Sequence, residues 1–99
     1  MLVHTVFFWL KPELTAAQLA AFRRGVESLG TIKAVDKCYV GTPAKTERRP
    51  IIDASYSVAL TVIVKDIAAH DAYQMDPIHL KFIAECKTFW SRVQIYDAQ

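Results

Sequence analysis

Segments of the chain alternate between the two-residue spacing of strands and the 3.6-residue spacing of helices, and this order constrains the fold most. The first segment, Leu2–Leu10, is rich in Val, Phe and Trp, which is typical of a β-strand. Thr15 and Gln18 form a capping-box pattern that predicts the start of a helix. Gly30 suits the position after that helix because glycine adopts positive φ without cost. The apolar face of the predicted helix consists of Leu19, Phe22, Val26 and Leu29.

The middle of the chain predicts two further strands, Ala34–Gly41 and Ser55–Val64. Between them, the segment 42–53 contains two prolines and several basic residues and is expected to be a long mobile loop. Even-numbered positions of the first and third strands are the more apolar ones, including Tyr56, and are expected to face the helices.

The last third of the chain predicts two helical pieces followed by a strand. Asp66 is expected to cap a short helix ending near Met75, and Pro77 to restart the helix to about Phe89. Arg92–Tyr96 predicts the final strand. The order strand, helix, strand, strand, helix, strand predicts an α+β protomer of the ferredoxin-like type, a four-stranded antiparallel sheet with the helices on one face.

Length and composition predict one domain, residues 1–99, with a substantial core. Apolar residues make up 53% of the chain, and the net charge is +2 with both signs interspersed. This balance gives no argument for nucleic acid as a partner. The apolar run 2–10 is too short to span a membrane, and Cys38 and Cys86 form no paired motif. We therefore expect a cytoplasmic protein with no membrane partner.

The odd-numbered face of the predicted sheet is too apolar to be left in water. Exposure of its large side chains would create a sizeable apolar patch, and burying each is worth roughly 2–3 kcal/mol. The sheet is therefore expected to pack against a second copy of itself, in a two-fold homodimer. The residues predicted to form this interface are Val3, Phe7, Trp9 and Ile63.

The segment His70–His79 carries the strongest functional signal. Asp76 and Pro77 predict a helix start that places His79 in the first turn, on the stripe that points inward. The dipole and burial at that position favour a neutral imidazole, which can accept a proton from a carbon acid. Tyr73 is expected to stabilise a substrate oxygen, and His4, on an apolar strand, to orient or transfer a second proton. His70 is expected to face solvent.

An apolar pocket is expected between helices and sheet around these three residues, the usual lining of a small-molecule site. Its predicted wall is Val6, Phe8, Phe22, Val26, Val58, Phe82 and Trp90. A metal site formed by His4, His79 and Asp76 is an alternative, but no metal-ligand spacing in the sequence supports it. We expect neither a metal nor an organic cofactor. A carboxylate, Asp71 or Asp76, is a candidate partner for the second nitrogen of His79.

Five segments of the chain form a recognisable combination: the opening strand with His4, the stretch Val40–Ala44, the stretch Asp53–Tyr56, the segment His70–His79, and the pair Phe89 and Trp90. Together they resemble the stress-responsive dimeric α/β-barrel (Dabb) family over nearly the whole chain. The resemblance implies a homodimer in which two four-stranded sheets form a central barrel with the helices outside. The family includes heat-stable plant stress proteins and a plant polyketide cyclase, olivetolic acid cyclase.

The cyclase closes a linear polyketide thioester by an aldol condensation without a cofactor. Its proposed base matches His79, and its helix tyrosine and first-strand histidine match Tyr73 and His4. A third-strand histidine and a first-helix aromatic are replaced here by Val58 and Val26.

Two functions from different classes remain open at this stage. The first is a small-molecule binder or enzyme that abstracts a proton next to a carbonyl, with His79 as base. The second is a non-catalytic stress or stability protein that acts through oligomeric assembly. A cavity that touches both His4 and His79 favours the first function, and a filled interior favours the second.

Overall fold

The computed structural model describes residues 1–99 and contains one antiparallel sheet with all helices on one face. The elements in chain order are β1 (Leu2–Leu10), α1 (Ala16–Ser28), β2 (Val35–Gly41), β3 (Val58–Val64), α2 (Ile67–Met75), α3 (Pro77–Cys86) and β4 (Trp90–Ala98). The strand order across the sheet is β2-β3-β1-β4, so β1 is central and β4 forms an edge. This arrangement confirms the predicted ferredoxin-like protomer.

Each helix begins at the residue that the sequence predicted. The Thr15 hydroxyl accepts the Gln18 N–H at 3.1 Å, and the Gln18 side chain accepts the Thr15 N–H at 2.8 Å, which completes the capping box of α1. The Asp66 carboxylate caps α2, and the Asp76 carboxylate caps α3 with Pro77 at its first position. Local hydrogen bonding therefore fixes the helix boundaries around the candidate site.

Gly30 does not adopt the positive φ that the sequence suggested. No residue of the chain has positive φ, and α1 continues instead into a short 3₁₀ turn, Leu29–Thr31. A β-carbon at position 30 would lie 3.1 Å from the Cβ of Cys38, tighter than an ordinary contact. Glycine is therefore needed there for close approach to β2.

The face assignment of the two central strands is largely confirmed. Even-numbered residues of β1 and β3 are buried against the helices and form most of the core with Phe22, Val26, Leu29, Ile32, Tyr73, Phe82 and Cys86. Tyr56 is the exception: it packs on the opposite face, with its ring 4.9 Å from that of Phe7. The reason is that β3 begins at Val58, so strand alternation does not extend back to position 56.

The last strand is longer than predicted, because β4 runs to Ala98 rather than to Tyr96. Its pairing with β1 places three residue pairs on the side of the helices: Phe8 with Val93, Val6 with Ile95, and His4 with Asp97. The extension matters for function, because it brings the carboxylate of Asp97 beside His4.

The opposite face of the sheet carries the predicted interface residues, which are partly covered in a single chain. Phe7 packs against Tyr56 and Tyr96, and the guanidinium of Arg92 lies 4.0 Å from the centre of the Trp9 ring system. Tyr96 nevertheless keeps 62% of its surface exposed.

None of the helices is both long and apolar enough to cross a membrane.

Candidate functional site

The junction between α2 and α3 assembles the predicted pair of Tyr73 and His79. Asp76 has extended backbone angles, so it ends α2 and begins α3 at the same residue. Its carboxylate accepts the backbone N–H of Ile78 at 2.8 Å. This break brings the last turn of α2 against the first turn of α3, with the rings of Tyr73 and His79 4.9 Å apart, edge to face.

A cavity of about 130 Å³ lies between this junction and the sheet. Of its 13 lining residues, 10 are hydrophobic, which is typical of a small-molecule site with a few polar groups. The polar ones are His4, His79 and Gln74, and Tyr73 adds a hydroxyl. The hydrophobic wall comprises Val6, Phe8, Leu29, Leu60, Phe82, Ile83, Trp90, Val93 and Ile95. One cavity therefore joins all three predicted catalytic residues.

His79 has a ring nitrogen without a partner. Its Nδ1 is buried, and it is the only buried side-chain nitrogen or oxygen in the chain that makes no hydrogen bond. Neither predicted carboxylate holds it, because Asp71 contacts His70 and Asp76 caps the helix. A buried polar atom left unpaired costs about 1–3 kcal/mol, so this one calls for an explanation.

Burial lowers the pKa of His79 below its ordinary value, and the nearby imidazoles of His4 and His70 lower it further. The Asp76 carboxylate and the backbone of Gln74 oppose this shift without cancelling it. The imidazole is therefore neutral at pH 7 and has a free electron pair to accept a proton.

Tyr73 is 1% exposed and lies between the other two candidate residues. Burial raises the pKa of its hydroxyl well above the usual range, with a smaller contribution from Cys38. The hydroxyl therefore remains protonated at any physiological pH and can donate a hydrogen bond to an oxygen in the cavity. Its ring centre is 5.7 Å from that of His4, so Tyr73 links the two histidines.

His4 belongs to a second polar group at the outer end of the cavity. Its Nδ1 donates to Oδ1 of Asp97 at 2.5 Å, and its ring centre is 5.1 Å from that of His70. The expectation that His70 faces solvent is wrong, because only 19% of its side chain is exposed. The His, Asp, Glu and Cys side chains close enough to hold a metal are His4, His70 and Asp97, rather than the alternative set of His4, His79 and Asp76.

Part of the predicted pocket wall lies elsewhere. Val6, Phe8, Phe82 and Trp90 line the cavity, as predicted. Phe22, Val26 and Val58 do not line it, and they are 1%, 0% and 7% exposed in the core. Their side chains are enclosed by packing between α1 and the sheet, so they belong to the core rather than to the cavity wall.

The sequence reasoning missed several lining or polar residues. Val93, Ile95 and Asp97 all come from β4, whose end was predicted too early for Asp97 to be considered. Their position at every second residue could have predicted that they lie on one face of the sheet, because alternate residues of a strand share a face. Gln74 follows Tyr73 on α2 and had no distinguishing pattern in the sequence.

A larger groove lies outside this cavity and lacks its chemistry. It has a volume of about 350 Å³ and runs between α1 and α3, lined by residues such as Arg24, Ser28, Lys81 and Glu85. It contains no histidine and is open to solvent. The cavity at the α2–α3 junction is therefore the candidate site.

A family model for the stress responsive A/B barrel domain matches residues 2–99. The chain belongs to this family. This match confirms the family that the sequence resemblance predicted. No curated protein matches the chain.

Solved structures with the same fold extend over nearly the whole chain. A Dabb family protein from Mesorhizobium loti shares 22% identity, with a TM-score of 0.77, over 99% of this chain and 94% of its own. A dimeric ferredoxin-like protein from Thermobifida fusca shares 15% identity, with a TM-score of 0.78, over 98% and 88%. A hydroxynitrile lyase from Passiflora edulis shares 16%, with a TM-score of 0.77, over 98% and 90%. These similarities establish the fold.

Proposed function

We propose that this A/B barrel protein binds a small carbonyl compound in the cavity at the α2–α3 junction and removes a proton from the carbon next to the carbonyl. The observation that carries the proposal is the buried Nδ1 of His79, which has no hydrogen-bond partner although His79 lines a largely apolar cavity. A ligand with a polar group would remove the cost of leaving that atom unpaired. The rest of the cavity wall favours an apolar ligand body.

The proposed chemistry needs three side chains and no cofactor. Neutral His79 takes the proton from the carbon, and the electron pair of the broken C–H bond moves into the carbonyl to give an enolate. The Tyr73 hydroxyl donates a hydrogen bond to the enolate oxygen, which carries the new negative charge. His79 then returns its proton to carbon, or the enolate carbon attacks a second carbonyl in an aldol closure and protonated His79 gives its proton to the alkoxide that forms.

His4 would act as the orienting group for this reaction. Its Nδ1 donates to Asp97, which leaves the other ring nitrogen for the cavity that His4 lines. A carboxylate that accepts from one imidazole nitrogen fixes the tautomer and orientation of the ring, as it does in hydrolase triads. The ring is then held ready to accept or relay a second proton.

The size of the cavity selects among carbonyl substrates. A volume of about 130 Å³ suits a short ketone or aldehyde rather than a long polyketide chain. The residues that differ from the resembled cyclase, Val26 and Val58, lie in the filled core and open no additional space. The proposed substrate is therefore a small carbonyl compound of the type that undergoes aldol or isomerisation chemistry.

Proton abstraction can be tested directly by hydrogen exchange. Cyclohexanone dissolved in D₂O with the protein should exchange the hydrogens next to its carbonyl faster than in buffer alone, as followed by proton NMR. His79→Ala should lose at least about 10²-fold of this acceleration, because it removes the base. Leu80→Ala, on the neighbouring exposed position of α3, is the matched control and should retain the rate.

The outcomes of this experiment separate the two functional classes. Faster exchange that depends on His79 supports an enzyme. If wild-type protein neither binds the ketone, measured by chemical-shift changes of the cavity residues, nor accelerates exchange, the proposal is overturned. A non-catalytic stress or stability protein, acting through assembly, would then be the better account.

We also propose that two copies associate through the open face of the sheet, with Val3, Phe7, Trp9 and Ile63 at the interface. These residues are only partly covered within one chain, and the neighbouring Tyr39 and Tyr96 are 58% and 62% exposed. Similar proteins of this fold are described as dimeric, among them the one from Thermobifida fusca. A two-fold arrangement pairs this surface with itself, which closes the assembly.

A further inference from the structure

We propose that His4, His70 and Asp97 form a binding site for a divalent transition-metal ion such as Zn²⁺. This site lies at the outer end of the cavity. It shares His4 with the proposed proton abstraction, in which His79 and Tyr73 act on the substrate, and an ion would replace the hydrogen that His4 Nδ1 donates to Asp97. One ligand atom from each of the three residues lies within 4.8 Å of the other two. The proposal rests on that cluster, on the contacts around His70, and on access from solvent.

The donor set is suitable for such an ion. Two imidazole nitrogens and one carboxylate oxygen, without a thiol, are ligands that Zn²⁺, Ni²⁺, Co²⁺ and Fe²⁺ accept. Three protein ligands leave at least one further position for water or a small molecule. Hard cations such as Mg²⁺ prefer oxygen ligands alone, so they fit this set poorly.

The surroundings of His70 match those of a metal-binding histidine. Its Nδ1 lies 3.1 Å from Oδ1 of Asp71, so Nδ1 can donate its hydrogen to that carboxylate. Metal-binding histidines commonly donate the other ring nitrogen to a carboxylate in this way, which fixes the tautomer. Nε2 of His70 then carries the electron pair that can bind a metal. It lies 4.0 Å from Oδ2 of Asp97 and 3.4 Å from the side-chain amide nitrogen of Gln74.

A movement of Asp97 would bring its carboxylate closer to the geometry of a metal ligand. Ligand atoms about 2.1 Å from a tetrahedral ion are about 3.4 Å from one another. The carboxylate of Asp97 is closer than this to His4, at 2.5 Å, and farther from His70, at 4.0 Å. Moving it from His4 toward His70 corrects both distances. Asp97 lies on the edge strand with 43% of its side chain exposed, so it has room to move.

An ion could reach this position from outside. A groove of about 350 Å³ opens beside His70 and Asp97 and is otherwise lined by residues such as Leu2, Ile67 and Gln99. His4 is 3% exposed and lines the inner cavity instead. The cluster therefore separates the groove from the cavity, with one ligand on the inner side and two on the outer side.

Metal binding is tested with untagged, chelator-treated protein titrated with ZnCl₂ in a calorimeter. We expect saturable binding of one ion per chain. His70→Ala and Asp97→Ala should each weaken the affinity by about tenfold or more, and both residues are exposed enough for the variants to fold. His79→Ala keeps the cluster intact and should bind as wild type does. Asp36→Asn, an exposed carboxylate on β2, controls for weak surface binding.

Two results would overturn the proposal. One is the absence of saturable binding, which would leave His4 and Asp97 as an ordinary hydrogen-bonded cross-strand pair. The other is an affinity that is equal in wild type, His70→Ala and Asp97→Ala. Because the readout is heat of binding by Zn²⁺ alone, it is independent of ketone exchange, so failure of either proposal can be distinguished from failure of the other.

Discussion

At the scale of single residues, the environment of each histidine decides its chemical use. His4 and His70 have carboxylate neighbours, whereas the buried Nδ1 of His79 has no partner. Burial, with help from the two other imidazoles, lowers the pKa of His79. A neutral imidazole beside a protonated tyrosine supplies the base and the oxygen donor of the proposed enolate formation.

The lowered pKa of His79 predicts a pH dependence of stability. Between the pKa of His79 in the folded state and its pKa in the unfolded state, the unfolded chain binds more protons than the folded one. The contribution of His79 to the free energy of unfolding is therefore complete above about pH 6.5 and is lost as the pH falls through the pKa of the folded state. Urea unfolding of wild type and His79→Ala across this range should show a steeper loss in the wild type. An identical pH dependence in both proteins would contradict a lowered pKa.

Replacing Tyr73 by Phe separates its hydroxyl from its role in the core. The ring remains, so the free energy of unfolding should change by no more than about 1 kcal/mol. The enolate oxygen loses its donor, and ketone exchange should fall by about 10²-fold. Urea unfolding and proton NMR measure the two effects on the same sample. A fully active Tyr73→Phe variant would remove the hydroxyl from the mechanism.

At the scale of elements, the break between α2 and α3 positions the site. In a continuous helix, Tyr73 and His79 would be about 1.7 turns and about 9 Å of rise apart, on different faces. The extended Asp76 instead lets the two helix ends meet at an angle, with the rings in contact. The close packing of α3 on α1 then fixes its position, because a β-carbon on Gly25 would lie 2.9 Å from Sγ of Cys86. The geometry of the site therefore depends on one cap and one close approach.

Removal of the α3 cap tests this dependence. Asp76→Ala loses the side-chain hydrogen bond to Ile78 N–H and should lower the free energy of unfolding by about 1 kcal/mol. It should also lower the pKa of His79 further, because the Asp76 carboxylate raises it. Urea unfolding and an NMR titration of the imidazole measure the two quantities. Asp71→Ala, which caps no helix, is the matched control for stability, and an equal loss there would argue against the cap.

At the scale of the whole molecule, a single chain has a small core. Only 15 of its 99 residues are buried, and aromatic side chains remain on the open face of the sheet. Small domains bury a modest fraction of their surface, so association through this face would add substantially to stability. The proposed dimer therefore affects the stability of the protein as well as its shape.

Trp9→Glu tests the proposed interface. The substitution would bury a carboxylate between two apolar surfaces, so it should weaken self-association by at least about 10²-fold. Sedimentation of the variant over a range of concentrations measures the effect. Leu19, which the sequence placed on the apolar face of α1, is 45% exposed in the structure, so Leu19→Glu should leave association unchanged. A Trp9→Glu variant that remains dimeric would exclude this face as the interface.

The sequence predicted the fold well because its signals are local. Thr15, Asp66 and Asp76 cap helices through neighbours a few residues away, and alternation assigned the faces of β1 and β3. The site was predicted only in part. His70 and Asp97 join His4 through long-range packing and strand pairing, and the end of an edge strand carries no turn signal. Which residues line the cavity and which fill the core depends on packing that periodicity does not encode.

A high-resolution crystal structure of the protein soaked in cyclohexanone would show whether the cavity beside His79 holds a small carbonyl ligand. We expect the ketone in the cavity, with its oxygen within hydrogen-bonding distance of the Tyr73 hydroxyl and the adjacent carbon against the ring of His79. A cavity that stays without ketone at saturating concentration, or in which His79 Nδ1 is bonded to protein atoms, would exclude it as the carbonyl-binding site.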